Sequence, residues 1–314
     1  MKLAFLLNGS ARGLHKLQKN IDVHFKEFEP KFFISEYVGH IMELAKNAIS
    51  RNYDTLIICG GDGTLNEAIN GIIEAHKIGI GNTPDAYDWE KIVKIKVGVF
   101  PSGSGNDFAK TVKISKEITD LKILISQDKS QLIDIGWVSY FKNKQEAAHR
   151  FFINITDVGM GGETVLKLQN KIPLVGPDIN YFWAITSTLA TYEKVKIKAF
   201  SDDFTWEGKA INFVVANGKY FGNGLCVAPD ASITDGKFEI VIIGDVNLMD
   251  YFKNLSKVKK GEKIEHPEVH YFSLDKVSIE SLETRDISID MDGEFIGYAP
   301  MTLLNLSKKI NFIC

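Results

Sequence analysis

Thr55-Leu56-Ile57-Ile58-Cys59-Gly60-Gly61-Asp62-Gly63-Thr64-Leu65-Asn66-Glu67-Ala68-Ile69-Asn70-Gly71-Ile72-Ile73 is the stretch on which the fold turns. Thr55–Cys59 reads as an apolar strand, and Leu65–Ile73 reads as a helix. The three glycines Gly60, Gly61 and Gly63 leave the backbone between them free to adopt positive φ and to approach a ligand closely. The helix start that follows offers unpaired N–H groups and the positive end of a dipole. Together these suit a phosphate group. Asp62 puts a carboxylate in the same turn, as magnesium chemistry or proton transfer would need. A plain glycine turn between strand and helix would require neither Asp62 nor Thr64.

The alternation continues on both sides. Leu3–Leu7 reads as a buried strand followed by a glycine-containing turn, Asn8–Gly13. Lys31–Ile34 reads as a strand, and His40–Ile49 as a helix with Ile41, Leu44, Ala45 and Ala48 at helical spacing. Lys96–Phe100 is a further strand, leading into the small-residue turn Pro101-Ser102-Gly103-Ser104-Gly105-Asn106. This order predicts an open, mostly parallel sheet with helices on its faces. Ligands bind such sheets at the carboxyl ends of the strands, so the three turns can converge on one site. His76–Lys94 breaks the rhythm with Gly79, Gly81, Pro84, Asp85 and Asp88 and reads as an inserted surface loop without an assigned role.

After about Gln131 the pattern changes. Lys194–Ala199 alternates polar and apolar, and Val277, Ile279 and then Ile287, Ile289, Met291 repeat this, which predicts an antiparallel sandwich or partly closed barrel. Helices interrupt it at about Glu163–Gln169, Ile179–Thr191 and Leu248–Lys257. The expected division is an α/β nucleotide-binding domain over 1–135, with 300–314 returning to it, and a β-rich domain over 136–299.

At 314 residues and 45% hydrophobic, the chain can bury more than one core. A net charge of -3 argues against nucleic acid as a partner. Cys59, Cys226 and Cys314 are scattered, which fits a reducing cytosol without a disulfide framework. Leu3–Leu7 is too short for a secretory signal, and Ile179–Tyr192 is too short to span a bilayer. The expectation is a cytoplasmic protein whose membrane contact is peripheral. No Walker A lysine motif is present, and Pro267 spoils His266 and His270 as a helical metal pair.

Gly60–Asn66 as GGDGTLN, Pro101–Lys110 as PSGSGNDFAK, Val227–Phe238 as VAPDASITDGKF and Asp292-Gly293-Glu294 occur in this order. The combination resembles the diacylglycerol kinase catalytic-domain family of lipid kinases, which includes bacterial soluble enzymes and the sphingosine and ceramide kinases. The resemblance covers nearly the whole chain. It implies an NAD-kinase- or phosphofructokinase-like first domain, ATP and Mg2+ as cofactors, and a lipid hydroxyl as acceptor. It implies that Asn8, Ser10 and Gly13 line the nucleotide site, with Ser35 near the ATP. Gly60, Gly61, Asp62, Gly63, Thr64 and Asn66 would cradle the phosphates. Ser104 would replace the family's usual Thr and keep its hydroxyl. Gly9 stands where Pro is common, a change expected to loosen the first turn. Asp62 corresponds to the family's essential Asp. Glu294 would accept the proton of the lipid hydroxyl, with Asp292 beside it. Asp235, with the carbonyls of Ser232 and Lys237, would bind a structural magnesium; a hairpin turn is the alternative there.

Asn154–Gly162 also matches a family stretch. Tyr181, Phe182 and Trp183 would line a lipid cleft or sit in a core. Lys253, Lys257, Lys259, Lys260 and Lys263 form either a solvated helix face or a contact to anionic headgroups. Two rival functions stand beside the lipid kinase. One is an NAD kinase, which shares GGDGT but usually carries a further Thr- and Ser-rich motif that this chain lacks. The other is a non-catalytic nucleotide- or lipid-binding regulator, against which the retention of Asp62, Asp292 and Glu294 argues. An edge strand in the second domain could pair two copies into a homodimer.

Overall fold

The computed structural model describes residues 1–169 and 176–314. The chain divides into two units, Met1–Ile135 with Ser307–Cys314, and Gly136–Leu306.

In the first unit, β1 (Leu3–Leu7), β2 (Lys31–Ile34), β3 (Thr55–Gly60) and β4 (Lys96–Pro101) form a parallel sheet in the order β4-β3-β1-β2. Asn311 and Phe312 from the chain's end pair in parallel with Lys96 and Val97 and extend the sheet beyond β4. The helices are α1 (Leu14–His24), α2 (His40–Ser50), α3 (Asp62–Glu74), α4 (Trp89–Ile92), α5 (Asp107–Thr111) and α6 (Ile118–Ser126). Every residue of β1 and β3 is buried, as expected of strands covered on both faces. Phe5, Leu7, Ile21, Phe25, Ile57, Leu121 and Ile313 build one core of this unit. The chain leaves β1 towards β2 on one side and returns to β3 on the other. The strand order therefore reverses between β1 and β3, the position at which open α/β sheets bind ligands.

Residues 76–94 are more structured than a plain loop. Lys77 pairs with Tyr87, whose hydroxyl donates to Glu74 Oε1 at 2.6 Å, and Trp89 Nε1 donates to the Pro84 carbonyl at 2.8 Å. Ala86 and Tyr87 are buried.

The second unit is built on antiparallel pairs. Its strands are β5 (Gln131–Asn143), β6 (Glu146–Phe152), β7 (Ile155–Gly159), β8 (Val195–Phe200), β9 (Thr205–Ala210), β10 (Asn212–Ala216), β11 (Tyr220–Phe221), β12 (Leu225–Cys226), β13 (Phe238–Ile243), β14 (Val269–Leu274), β15 (Lys276–Ser281), β16 (Ser288–Met291) and β17 (Glu294–Phe312). β5 begins, and β17 ends, in the first unit. One path of pairing runs β14-β13-β10-β7-β16-β17, and a second runs from β17 through β15 and β8 to β9. The helices are α7 (Met160–Gln169), α8 (Pro177–Thr191) and α9 (Leu248–Lys260). Phe152, Phe213, Phe238, Ile240, Val277, Ile279, Ile289 and Leu303 interdigitate in its core.

β8 follows the expected alternation, with Val195, Ile197 and Ala199 buried and Lys196 exposed. β16 does not, because Ser288 and Asp290 are buried along with Ile289 and Met291. The cause is α7, which lies against β16. A Cβ on Gly161 would come within 2.0 Å of Asp157 Oδ1, and one on Gly162 within 2.7 Å of Ser288 Cβ. The two glycines let the helix backbone approach and close off the polar face of the strand. Gly161→Ala is expected to lower the unfolding free energy by about 1–3 kcal/mol in urea titrations, from overpacking. Gly81→Ala, where an added Cβ meets nothing within 4 Å, should leave it nearly unchanged.

Candidate functional site

The carboxyl ends of β1, β2, β3 and β4 bring the sequence-predicted turn residues of the first unit together. Asn8 closes the end of β1 onto β3, its N–H donating to the Cys59 carbonyl at 3.1 Å. Its side chain reaches Thr64, with Nδ2 donating to Oγ1 at 3.3 Å, while Oδ1 accepts from the Ser10 N–H at 3.0 Å and the Ser10 hydroxyl at 2.7 Å. The Gly9 N–H donates to Ser35 Oγ at 3.0 Å, which ties the first turn to the end of β2. The glycine expected to loosen this turn is held firmly, and a Cβ there would lie 1.9 Å from the Ser35 carbonyl oxygen. Gly13 supplies the left-handed residue, φ 79°, that starts α1.

The turns after β3 and β4 meet backbone to backbone. A Cβ on Gly103 would lie 2.4 Å from Gly61 Cα, and the Ser102 N–H donates to the Gly60 carbonyl at 3.1 Å. Gly60 is needed for a second reason, since a Cβ there would strike Thr64 at 2.4 Å. Asn106, left-handed at φ 54°, locks its own turn: Oδ1 accepts from the Gly103 N–H at 2.9 Å and Nδ2 donates to the Gly103 carbonyl at 2.7 Å.

Asp62 begins α3, yet its carboxylate serves a different helix. Oδ2 accepts from the Asp107 N–H at 3.0 Å and Oδ1 from the Phe108 N–H at 2.9 Å, which satisfies two free donors of α5. Burial first, and then the neighbouring Asp107 carboxylate, push the Asp62 acid above its ordinary value; the two N–H donors and Lys110 pull the other way. Asp107 is buried and pairs with Lys110 Nζ at 2.8 Å. Each carboxylate oxygen of Asp62 keeps a lone pair beyond its N–H bond. Two carboxylates at this turn, one strained by the other, make a hard-oxygen donor set that suits a magnesium ion. Ser104 is exposed beside them. Asn66, in contrast, is buried and holds Asn70 one turn further on, so the structure turns it into the unit rather than outward. Asp107, within Pro101–Lys110, is not among the site residues that the resemblance implies. A second acidic residue just after a strand-ending glycine turn was the available signal.

In the second unit, Asp292 and Glu294 have different surroundings. Asp292 is left-handed at φ 49°, and its carboxylate accepts three backbone N–H groups: Ile153 at 3.2 Å, Asn154 at 3.2 Å and Ile155 at 2.9 Å. It organises the connection between β6 and β7. Glu294 opens β17, is 35% exposed, and pairs with Arg150 Nη2 at 2.8 Å. Of the two, Glu294 is the one open to solvent. Arg150 gave no sequence signal, because its pairing depends on how β6 and β17 are placed in the fold.

Behind this turn lies a buried acidic pair. Asp290 and Asp157 sit opposite each other in the β16–β7 ladder. Asp290 Oδ1 accepts from the Gly293 N–H at 3.0 Å. Among the described residues neither Asp157 oxygen has a hydrogen bond of good geometry, although the Asn212 amide and Gly161 N–H lie close enough to oppose the shift. Burial pushes the Asp157 acid up to about 7. Burial and then Asp157 push Asp290 well above the ordinary carboxylate range.

The loop of Ser232, Asp235 and Lys237 is also in this unit. Asp235 is exposed, and its Oδ1 accepts the Lys237 N–H at 3.0 Å, closing a tight turn. Among the described residues no group of three or more His, Cys, Asp or Glu side chains is arranged to hold a metal ion. A cation here would rest on one carboxylate, backbone carbonyls and water. Asp235 and Ser232 also border a cavity of 210 Å³ with Asp230, Glu239, Lys263 and Tyr271. No helix among the described residues is long and apolar enough to cross a membrane.

Residues 2–138 match the family model described as diacylglycerol kinase catalytic domain. Residues 157–314 match that described as YegS C-terminal NAD kinase beta sandwich-like domain. A Staphylococcus saprophyticus protein named diacylglycerol kinase is 29% identical over 284 residues, spanning 90% of this chain and 84% of the relative. A Staphylococcus aureus protein of the same name is 29% identical over 285 residues, spanning 90% and 82%. The crystal structure of a diacylglycerol kinase from Bacillus anthracis shares the fold, with a TM-score of 0.69 at 18% identity over 99% of this chain and 96% of that one.

Asp292→Ala is expected to destabilise the chain by about 2–5 kcal/mol in chemical denaturation, because buried N–H groups lose their acceptor. Glu294→Gln, which removes a partly exposed ion pair, should cost at most about 1 kcal/mol. A pH series tests the acidic pair. An acid whose folded pKa is raised stabilises fully below its unfolded value near ~4, and that contribution is lost as pH rises through the folded value. Wild-type stability should therefore fall between ~4 and about 7, and Asp157→Asn should flatten that fall.

Proposed function

The chain belongs to the diacylglycerol kinase catalytic-domain family, and from that premise we propose that it transfers the γ-phosphoryl group of ATP to a lipid hydroxyl, with diacylglycerol as the acceptor and phosphatidic acid as the product. The observation that carries the ATP assignment is the junction of Gly61 with Gly103, clasped by the Asp62 carboxylate. It sets closely approaching bare backbone and the start of α3 at the switch point of a parallel sheet, where a polyphosphate is favoured. Asn8, Ser10 and Ser35 would complete the nucleotide's polar surroundings.

Asp62 and Asp107 would hold Mg2+ with water, and the ion would supply charge neutralisation on the transferring phosphoryl group. Everything else asked of the protein is positioning. Backbone N–H groups fix the phosphates, and the Asp62 clasp keeps the two turns from separating. The acceptor hydroxyl must lose a proton, and Glu294 is assigned that role because it is open to solvent and oriented by Arg150. Asp292 is assigned a supporting role, since its carboxylate is committed to backbone donors. Asp235, with the Ser232 and Lys237 carbonyls, would hold a second, structural cation. The reading places the enzyme in the cytoplasm, meeting its lipid at a membrane surface.

The deciding experiment presents γ-labelled ATP and Mg2+ with mixed micelles of diacylglycerol, phosphatidylglycerol, sphingosine or ceramide. Label is expected in diacylglycerol. Asp62→Ala should reduce its incorporation by at least about 100-fold, as expected when charge stabilisation in phosphoryl transfer is removed. Glu294→Gln should lower kcat with little change in the KM for ATP. No labelled lipid, but labelled NAD, would overturn the lipid assignment.

A further inference from the structure

Two helices of the second unit present a surface that the groups assigned above do not use. α8 exposes Ile179 at 59%, Phe182 at 46% and Trp183 at 47%. Their spacing puts all three on one face of the helix. α9 has no buried residue, and it exposes Met249 at 62% and Phe252 at 48%. The same face of α9 continues through Lys253, Lys257 and Lys260, all exposed. The rings of Phe182 and Phe252 lie 6.1 Å apart, so the two faces form one surface. Aromatic rings in contact across two helices would close a core in most domains; here they remain about half open. Exposed apolar surface of this kind marks a docking site.

Charge selects the occupant. Lys253, Lys257, Lys259 and Lys260 form no ion pair among the described residues, on a chain whose net charge is -3. Asp250, the acidic residue of α9, is held in the capping box of its own helix and lies 3.9 Å from His266 Nε2. The basic character is therefore local to this helix and uncompensated along its exposed face. Large apolar and aromatic side chains beside lysines, on a helix of low mean hydropathy, are the composition of a helix that lies in a lipid interface. Lysine stems can lie along the apolar boundary while their ammonium groups reach anionic headgroups.

We propose that α8 and α9 together form a docking face for an anionic phospholipid bilayer. Ile179, Phe182, Trp183, Met249 and Phe252 enter the headgroup boundary, and the α9 lysines pair with lipid phosphates. The inference rests on the lipid-kinase reading for its occupant and names the surface through which that substrate pool is met.

The test is co-sedimentation with phosphatidylcholine vesicles, with and without phosphatidylglycerol, using wild type, Trp183→Ala/Phe252→Ala and Lys253→Glu/Lys257→Glu/Lys260→Glu. Circular dichroism checks that the variants fold. Wild type should prefer the anionic vesicles and release from them as salt rises. Each multiple variant should bind at least about tenfold more weakly. Activity on diacylglycerol in vesicles should fall accordingly, while activity on a short-chain, monomeric diacylglycerol stays within about twofold of wild type. Variants that bind and turn over vesicles like wild type would overturn the proposal. So would a wild-type dimer that the Trp183→Ala/Phe252→Ala variant dissociates, since the face would then belong to a second copy. A wild type that phosphorylates no lipid yet binds anionic vesicles, with both variants released, would sink the kinase assignment and uphold the docking face.

Discussion

The carboxyl end of the first unit's parallel sheet depends on a close approach of two backbones. A Cβ on Gly103 would strike Gly61 Cα at 2.4 Å, whereas one on Gly61 would meet Gly103 Cα in a tight contact at 3.3 Å. Glycine at Gly103 is therefore a steric requirement, and the two turns meet there as bare backbone. Bare backbone is a weak adhesive, and the Asp62 carboxylate supplies the bond that holds the turns together, through the N–H groups of Asp107 and Phe108. That bond keeps a carboxylate partly buried beside a second one, which raises the Asp62 acid and leaves negative charge to be balanced. The constraint that builds the turn junction thus also sets two carboxylates side by side, Asp62 and Asp107.

The second unit uses carboxylates in three ways, and burial separates them. Asp292 is surrounded by N–H donors and acts as a local scaffold. Asp290 and Asp157 face each other away from water, where ionising both would be costly. Glu294 has an arginine partner and access to solvent. Four acidic side chains within one region need not share one task. Only a group that can exchange protons with a substrate or water suits acid–base chemistry.

Much of the fold was legible because short-range patterns carry it. Lys31–Ile34 was recognisable as a strand from its residues alone, and the strand bounds agree. Val195, Ile197 and Ala199 alternate with polar residues and are buried accordingly. β16 was only half legible. Ile289 and Met291 face the core as their pattern predicts, but Ser288 and Asp290 are closed off by α7, whose approach depends on Gly161 and Gly162. Residues 76–94 looked like a loop because Gly79, Gly81 and Pro84 dominate the local pattern. The bonds of Tyr87 and Trp89 that order the segment leave no periodic trace. At the site, the glycines and Asp62 stood out from their spacing, whereas Asn66 lies in the same motif yet faces inward.

The sequence by itself determined the class of the first unit and the chemistry of its turns. Strand periodicity, glycine positions and a helix start are encoded within a few residues of one another. Tertiary structure decided what each carboxylate does. The partners of Asp62 lie 45 and 46 residues away, and those of Asp292 lie 137 to 139 residues away. Hydrogen bonds reach about 3 Å, so such a partnership exists only once strand order has set the two segments side by side. The charge of a buried acid likewise depends on its surroundings in space, which no neighbour in the chain specifies.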